Sequence, residues 1–498
     1  MTPLSIFFRF SPHFSLSHFF GKAFVLPAIL LAAVPPAATA DTPDLPTPEA
    51  VLAKIVAVAT WQEAHPSRWP ELDWTRAPYY LGLLAASRVT GDEKWADAVR
   101  GIGRKQAWQL GKRPFMADDH AVGQAWLALY QQDRLPEQRT PVEAGITAFA
   151  QRPIETPLDW ENKIYDREWA WCDALFMSPQ VLAGMTTVSG DLRWLERMDA
   201  RYWPAHDYLF DPKENLFMRD GSYFKKREAN GAKVFWSRGN GWVFAGLVHI
   251  LQQMPENHPT RPKYVDLFRT LAKRLIELQQ PDGSWHASLL DPASFPSPES
   301  SGTAFFCYGL LWGVNQKVLD GDSSLPAALR AWQKLASQVR PDGMLGFVQP
   351  CGVSPRNVSA EMTEVYGSGG LLLAGSELHH LLLLDGARRA DFHVKNPAKR
   401  NRLREVTPIA WSEVVRLLPD PVAARLAVRD GQTGQFVASQ AVDDNADGQP
   451  DRLLFVATVL PGQTRDYELV ESKRAGVPVS ASPMRCATDA DPLVIQTL

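Results

Sequence analysis

Four stretches of the 498-residue chain set charged side chains among aromatic and apolar neighbours, where a charge is costly unless it is paired or used. The first is REWAWCDALFMSP, residues 167–179, in which Asp173 is surrounded by Trp169, Trp171, Phe176 and Met177. Read as one helix, Trp169, Asp173, Phe176 and Met177 fall on a single face, with Asp173 near the helix start. Such an acid either pairs with a neighbouring Arg or keeps its proton towards neutral pH because apolar walls disfavour its anion. The second stretch, PFMADDHAVGQAWLALY at 114–130, puts Asp118 and Asp119 just before a helix. One of them caps that helix, which leaves the other to face a cleft. In the third, VFWSRGNGWVFAGL at 234–247, Arg238 lies between Trp236 and Trp242 beside a Gly-Asn-Gly turn. Its planar fork suits a carboxylate and the indoles suit sugar faces, although an Arg stacked on Trp for structural reasons gives the same pattern. The fourth, PSPESSGTAFFCYGLLWG at 296–313, opens a helix at Glu299 with capping chemistry.

The elements that must position these groups are helical. From about 48 to 385, helix-period apolar segments alternate with short Gly, Pro and Asp punctuation. VTGDEKWADAV (89–99) resembles VSGDLRWLERM (188–198), and QPDGSW (280–285) resembles RPDGML (340–345). Repeated hairpins that bury their apolar faces only against one another predict an α/α toroid. Beyond LLLLDGARRADFHVKNPAKR the segments become short, β-rich and separated by turns, as in RLLFVATVL and DYELVE. The expected organisation is a signal peptide over 1–40, a helical domain over 41–389, a small β-sandwich over 390–475 and a tail over 476–498. The motif DDNADGQPD (443–451) has the look of a calcium loop but lacks a closing Glu, so a polar β-turn is the favoured reading.

Composition narrows the partners. Residues 1–40 carry Arg9 and Lys22, no Asp or Glu, an apolar run at 23–33 and a small-residue end at Ala38-Thr39-Ala40, the pattern of a cleavable secretory signal. Export, with a periplasmic destination, is the expectation. The formal net charge of −3 becomes more negative once that segment is removed, so neither nucleic acid nor an anionic membrane surface is an expected partner. No later run is long and apolar enough to span a membrane. Cys172, Cys307, Cys351 and Cys486 match no metal pattern, and the apolar neighbours of Cys172 and Cys307 suit buried free thiols. Seventeen tryptophans with many acids point, in composition alone, to a carbohydrate cleft.

WCDALFMSP, WSRGNGWVFAGL, ESSGTAFFCYGLLWG and VYGSGGLLLAGSEL (365–378) together resemble glycoside hydrolase family 105, the unsaturated rhamnogalacturonyl hydrolases, and the related family 88 unsaturated glucuronyl hydrolases. The resemblance covers roughly residues 50–385 and implies an (α/α)6 barrel that uses no metal or other cofactor. It implies as substrate an oligosaccharide ending in the 4,5-unsaturated uronic acid left by a polysaccharide lyase, with unsaturated galacturonate the expected sugar. By motif match Asp173 becomes the general acid/base that protonates C4 before water adds at C5, and Asp118 the second acid, with Asp119 the fallback. Trp236 and Arg238 match substrate-contacting positions around the uronate and Trp171 an aromatic wall; Trp242 and Asp119 are further expected substrate contacts, and Arg219, which stands where some members carry a His, is another. The β-region lies outside the minimal family fold. A conventional inverting glycosidase on the same barrel, with Asp118 and Asp173 as base and acid, and a non-catalytic glycan-binding protein are the alternative functions.

Overall fold

In the computed structural model, residues 44–473 and 494–497 are described; the expected signal peptide lies outside them. Six helical hairpins follow one another. Outer α1 (Pro48–Ala64) leads to inner α2 (Ala77–Thr90), and outer α3 (Lys94–Lys105) leads through short α4 (Ala117–His120) to inner α5 (Gly123–Asp133). Outer α6 (Pro136–Gln151) leads through short α7 (Ala174–Met177) to inner α8 (Pro179–Ser189), and outer α9 (Arg193–Leu209) leads to inner α10 (Ser237–Gln253) after the small hairpin of β1 (Phe210–Asp211) and β2 (Leu216–Phe217). The last two pairs are α11 (Arg261–Glu277) with α12 (Ser300–Asn315) and α13 (Gly321–Gln338) with α14 (Val365–Leu384). The inner helices pack α2–α5–α8–α10–α12–α14 and α14 returns to α2, closing the ring of an (α/α)6 barrel. Inner helices are buried almost all round, while outer ones keep a polar face, the division expected of concentric helical layers.

The internal repeats have a local cause. In both VTGD and VSGD the glycine (Gly91, Gly190) ends an inner helix in the left-handed conformation, with φ of 71° and 77°. The next Asp then accepts from the amide two residues on, Lys94 N at 3.1 Å or Arg193 N at 3.0 Å, and starts the outer helix with its buried Trp. The two PDG turns also share one geometry: Gly283 and Gly343 take φ of 87° and 98°, and Asp282 and Asp342 accept from Ser284 N and Met344 N.

Helix gives way to strand between Leu384 and Arg388. A five-stranded antiparallel sheet runs in the order β10 (Val494–Thr497), β3 (Arg388–Lys395), β9 (Thr464–Glu471), β5 (Leu426–Asp430), β6 (Phe436–Val437). A three-stranded sheet of β4 (Arg402–Ala410), β8 (Arg452–Val459) and β7 (Ser439–Val442) packs against it. Alternate residues fill the core between them: Phe392 and Val394 of β3 and Tyr467 and Leu469 of β9 meet Leu453, Phe455 and Ala457 of β8, as the pleat requires. Helix α15 (Trp411–Leu417) contributes Val414. Val494–Thr497 pairs with β3 as an edge strand, so this part of the expected tail is built into the sheet. The Asp443–Asp451 loop joins β7 to β8, and Asp443 accepts from its own loop at Asp447 N and Gly448 N, the bonding of a polar turn. Cys172, Cys307 and Cys351 are free thiols, the first two buried; Cys486 lies outside the described residues. Among the described residues no helix is long and apolar enough to cross a membrane.

Candidate active site

The chemistry-bearing residues collect where the six inner helices begin. Asp73 and Trp74 precede α2, Asp118 lies just before α5, Asp173 caps α7 ahead of α8, Trp236 and Arg238 open α10, Glu299 caps α12 and Glu364 caps α14. Ring contacts tie these starts together: Trp74 stacks on Tyr366 of α14 at 5.7 Å and meets Trp242 of α10 edge-on at 5.9 Å.

Asp118 lies within electrostatic reach of Asp173. Burial raises the Asp118 carboxyl to about 7, helped by the charge of Asp173 and opposed by Arg113. Burial also raises Asp173, while Arg219, the Cys172 thiol and Arg238 pull it back. The Cys172 S–H donates to Asp173 Oδ1 at 3.1 Å. Both acids keep part of their surface open. Burial thus disfavours the anion at both carboxyls.

Asp173 does not share a helical face with Trp169. Helix α7 has four residues, and the segment before it is extended: Trp171 bridges to Asp220 and Cys172 N donates to Arg219 O at 2.8 Å. This pairing brings Arg219 to the acid. The Arg219 guanidinium lies 4.4 Å over the Trp160 ring and donates to buried Asp220. Trp171, Trp160 and Tyr165 form an aromatic wall with edge-on contacts of 6.2 and 6.4 Å.

The acid pair at 118–119 divides differently from the capping expectation. Both lie inside α4, whose cap is Met116 with no side-chain bond, so neither Asp caps it. Asp119 accepts from Arg113 N at 2.6 Å and Arg113 Nε at 3.0 Å, and a side chain at Gly111 would collide with it. Its carboxylate closes the 111–119 loop.

Arg238 has no exposed surface. It lies between the rings of Trp236 and Tyr366, 4.3 and 4.9 Å away, and donates to Gln349 O at 2.6 Å and Pro350 O at 3.2 Å. Gln349 is held from three further sides: Trp236 Nε1 donates to its side chain, Tyr366 OH to its carbonyl, and its amide donates to Glu299 Oε1 at 3.0 Å. Glu299 also accepts from Ser301 N and Gly302 N, so its carboxylate joins helix capping to loop anchoring. Arg238 thus shapes the 349–350 wall from behind and reaches Asp173 through its charge. Trp242 is likewise fully buried, packed on Phe305 at 4.5 Å and Phe176 at 4.9 Å as part of the floor.

A groove of about 540 Å³ lies beside this centre, with Tyr223, Lys226, Arg227, Val353 and Ser354 among its lining. Tyr223 joins its two walls, its hydroxyl donating to Val353 O at 2.5 Å, and lies within electrostatic reach of Arg219 and Asp173. Asp73, Trp74, Trp160, Gln349, Tyr366 and this groove were not anticipated from sequence; only the Asp-Trp step ahead of α2 offered a local signal. Among the described residues no group of three or more His, Cys, Asp or Glu could hold a metal ion.

Residues 52–382 match the profile of Glycosyl Hydrolase Family 88. The chain belongs to this family. Residues 394–488 match a domain of unknown function, DUF4861. An unsaturated 3S-rhamnoglycuronyl hydrolase of Alteromonas sp. (strain LOR) is 38% identical over 317 residues, covering 61% of this chain and 77% of the relative. A protein of the same name from Formosa agariphila is 35% identical, covering 66% of this chain and 89% of its own length. Among solved structures, one named as a polysaccharide lyase superposes with a TM-score of 0.62 at 31% identity, covering 67% of this chain and 98% of that protein. In all three the match spans about two thirds of this family 88 chain.

Proposed function

We propose that this family 88 glycoside hydrolase removes a terminal 4,5-unsaturated uronic acid from oligosaccharides made by a polysaccharide lyase. The observation that carries the reading is the meeting of Asp118 and Asp173 at one end of the barrel, two carboxyls raised by burial with cationic Arg219 beside Asp173. A vinyl ether needs an acid that still holds a proton towards neutral pH, and a carboxyl whose anion is disfavoured by burial suits that task.

In this reading the sugar carboxylate lies towards Arg219 and the flattened ring lies along the Trp171–Trp160 wall. Partial neutralisation of Arg219 by the sugar raises Asp173 further, so that its proton is available to C4. Water then adds at C5 and returns its proton to Asp173. The C5 hemiketal opens to a ketone, C1 becomes a hemiacetal, and its collapse to an aldehyde releases the rest of the chain as an alcohol. The leaving saccharide occupies the groove lined by Tyr223, Lys226 and Ser354. The relatives' names favour a rhamnose-linked glycuronyl unit over the pectin-type galacturonate expected from sequence. Residues 1–40 are read as an export signal, which places the enzyme where lyase products accumulate.

The test is Asp173→Asn on unsaturated disaccharides. Loss of the absorbance of the conjugated carboxylate should slow by at least about 10³-fold while substrate still binds; unchanged turnover would refute the assignment. The same assay separates the lyase reading suggested by one structural relative, because a lyase generates that absorbance instead of consuming it.

A further inference from the structure

The β-region closes the opposite end of the barrel from the acid pair. An α-helix leaves its last four carbonyls without intrahelical partners, and a ring of six parallel inner helices presents all of them on one surface. Four of those helices receive donors from the β-region: Asn401 Nδ2 to Thr187 O of α8 at 2.8 Å, Gln432 Nε2 to Gln252 O of α10 at 3.0 Å, Arg429 Nη2 to Asn315 O of α12 at 2.9 Å, and Ser472 Oγ to Leu383 O of α14 at 3.2 Å. The other two reach out to it, Arg88 of α2 to Gln435 Oε1 at 3.3 Å and Arg134, which ends α5, to Leu403 O.

Three of these six contacts come from one preorganised segment, the end of β5 and the turn that leads to β6. Asp430 accepts from Gln432 N and Thr433 N, both at 3.0 Å, and pairs with buried Arg465 at 2.7 Å, fixing the turn before it meets the barrel. Gly434, at φ 75°, lies so close to Gln316 that a Cβ there would overlap its amide. Arg429 is itself buried, donates to Gly434 O and pairs with Glu468 at 3.4 Å.

We propose that the function of the domain matched as DUF4861 is to seal the base of the barrel and fix the axial register of all six inner helices. Since the other ends of these helices carry Asp73, Asp118, Asp173, Arg238, Glu299 and Glu364, a slide along any helix axis moves a site residue by the same amount. The proposal stands independently of which substrate is processed.

The test is made on the full chain. Wild type should melt in a single transition. Arg429→Met, which leaves Asn315 O and Gly434 O without this donor, should lower the Tm by about 3–5 °C for a chain of this size. It should also speed amide exchange at least tenfold in the last turns of α10, α12 and α14. Gln432→Ala, a milder change, should confine faster exchange to the end of α10, and Glu413→Ala on exposed α15 should change neither. Two separate melting transitions in wild type, or exchange in Arg429→Met that quickens in 426–437 while the helix ends stay protected, would overturn the proposal.

Discussion

Asp118→Asn should make the protein more stable at high pH while it removes activity. The folded carboxyl titrates at about 7 against an ordinary value of 3.8, a gap of about three pH units. At ~1.4 kcal/mol per unit this is an upper bound of about 4 kcal/mol, and the part-exposed position of the group reduces it to about 2–3 kcal/mol. The sign follows from linkage. Below about pH 4 the group is protonated folded and unfolded, so it costs nothing. As pH rises through 7 the unfolded carboxyl has ionised while the folded one resists, and stability is lost until the folded group ionises too. An amide imitates the protonated acid at every pH. Relative to wild type, Asp118→Asn should therefore gain about 2–3 °C in Tm at pH 8.5, at about 1 °C per kcal/mol for a chain this long, and nothing at pH 4. Calorimetry at the two pH values, paired with the absorbance assay, measures both sides. A gain of equal size at both pH values would show a packing effect, and a loss at pH 8.5 would refute the raised carboxyl.

Lys226→Ala with Arg227→Ala should raise KM about five- to tenfold for a substrate whose leaving saccharide is anionic and leave a neutral leaving group unaffected, read from initial rates at low salt. Arg238→Met should cost about 3 kcal/mol by stranding Pro350 O and leaving Gln349 O with Tyr366 OH alone, measured by denaturant unfolding, and Arg238→Lys should recover little because a single ammonium cannot span both carbonyls. Reaction in heavy water should place deuterium at C4 of the released sugar; its absence there would favour inverting glycoside displacement.

The toroid was legible because its signals are local: Gly91 and Gly190 end helices, Asp92 and Asp191 start them, and each pair repeats a sequence pattern. Asp173 was legible for the same reason, as a carboxylate in an apolar run. What surrounds it was not. The helix over 167–179 is cut short because Trp171 and Cys172 pair with Asp220 and Arg219, and such a pairing leaves no periodic trace. Arg238 and Trp242 look like exposed sugar contacts in sequence, yet both are buried: the loop that Arg238 supports, 349–350, lies more than a hundred residues away, and Trp242 packs on Phe305 and Phe176. Asp118 and Asp119 are indistinguishable as neighbours; Arg113 decides between them.

The common direction of the inner helices also answers how a site with several acids, in a chain of net charge −3, can attract an anionic sugar. Each helix start carries about half a positive elementary charge from its aligned peptide dipoles. Six starts converging on one end of the barrel give a field worth roughly three such charges, screened but fixed in the backbone, with its negative counterpart at the base. The barrel is thus electrically polarised along its axis. That polarity is set by the order in which the helices are connected, and no single side-chain substitution can remove it.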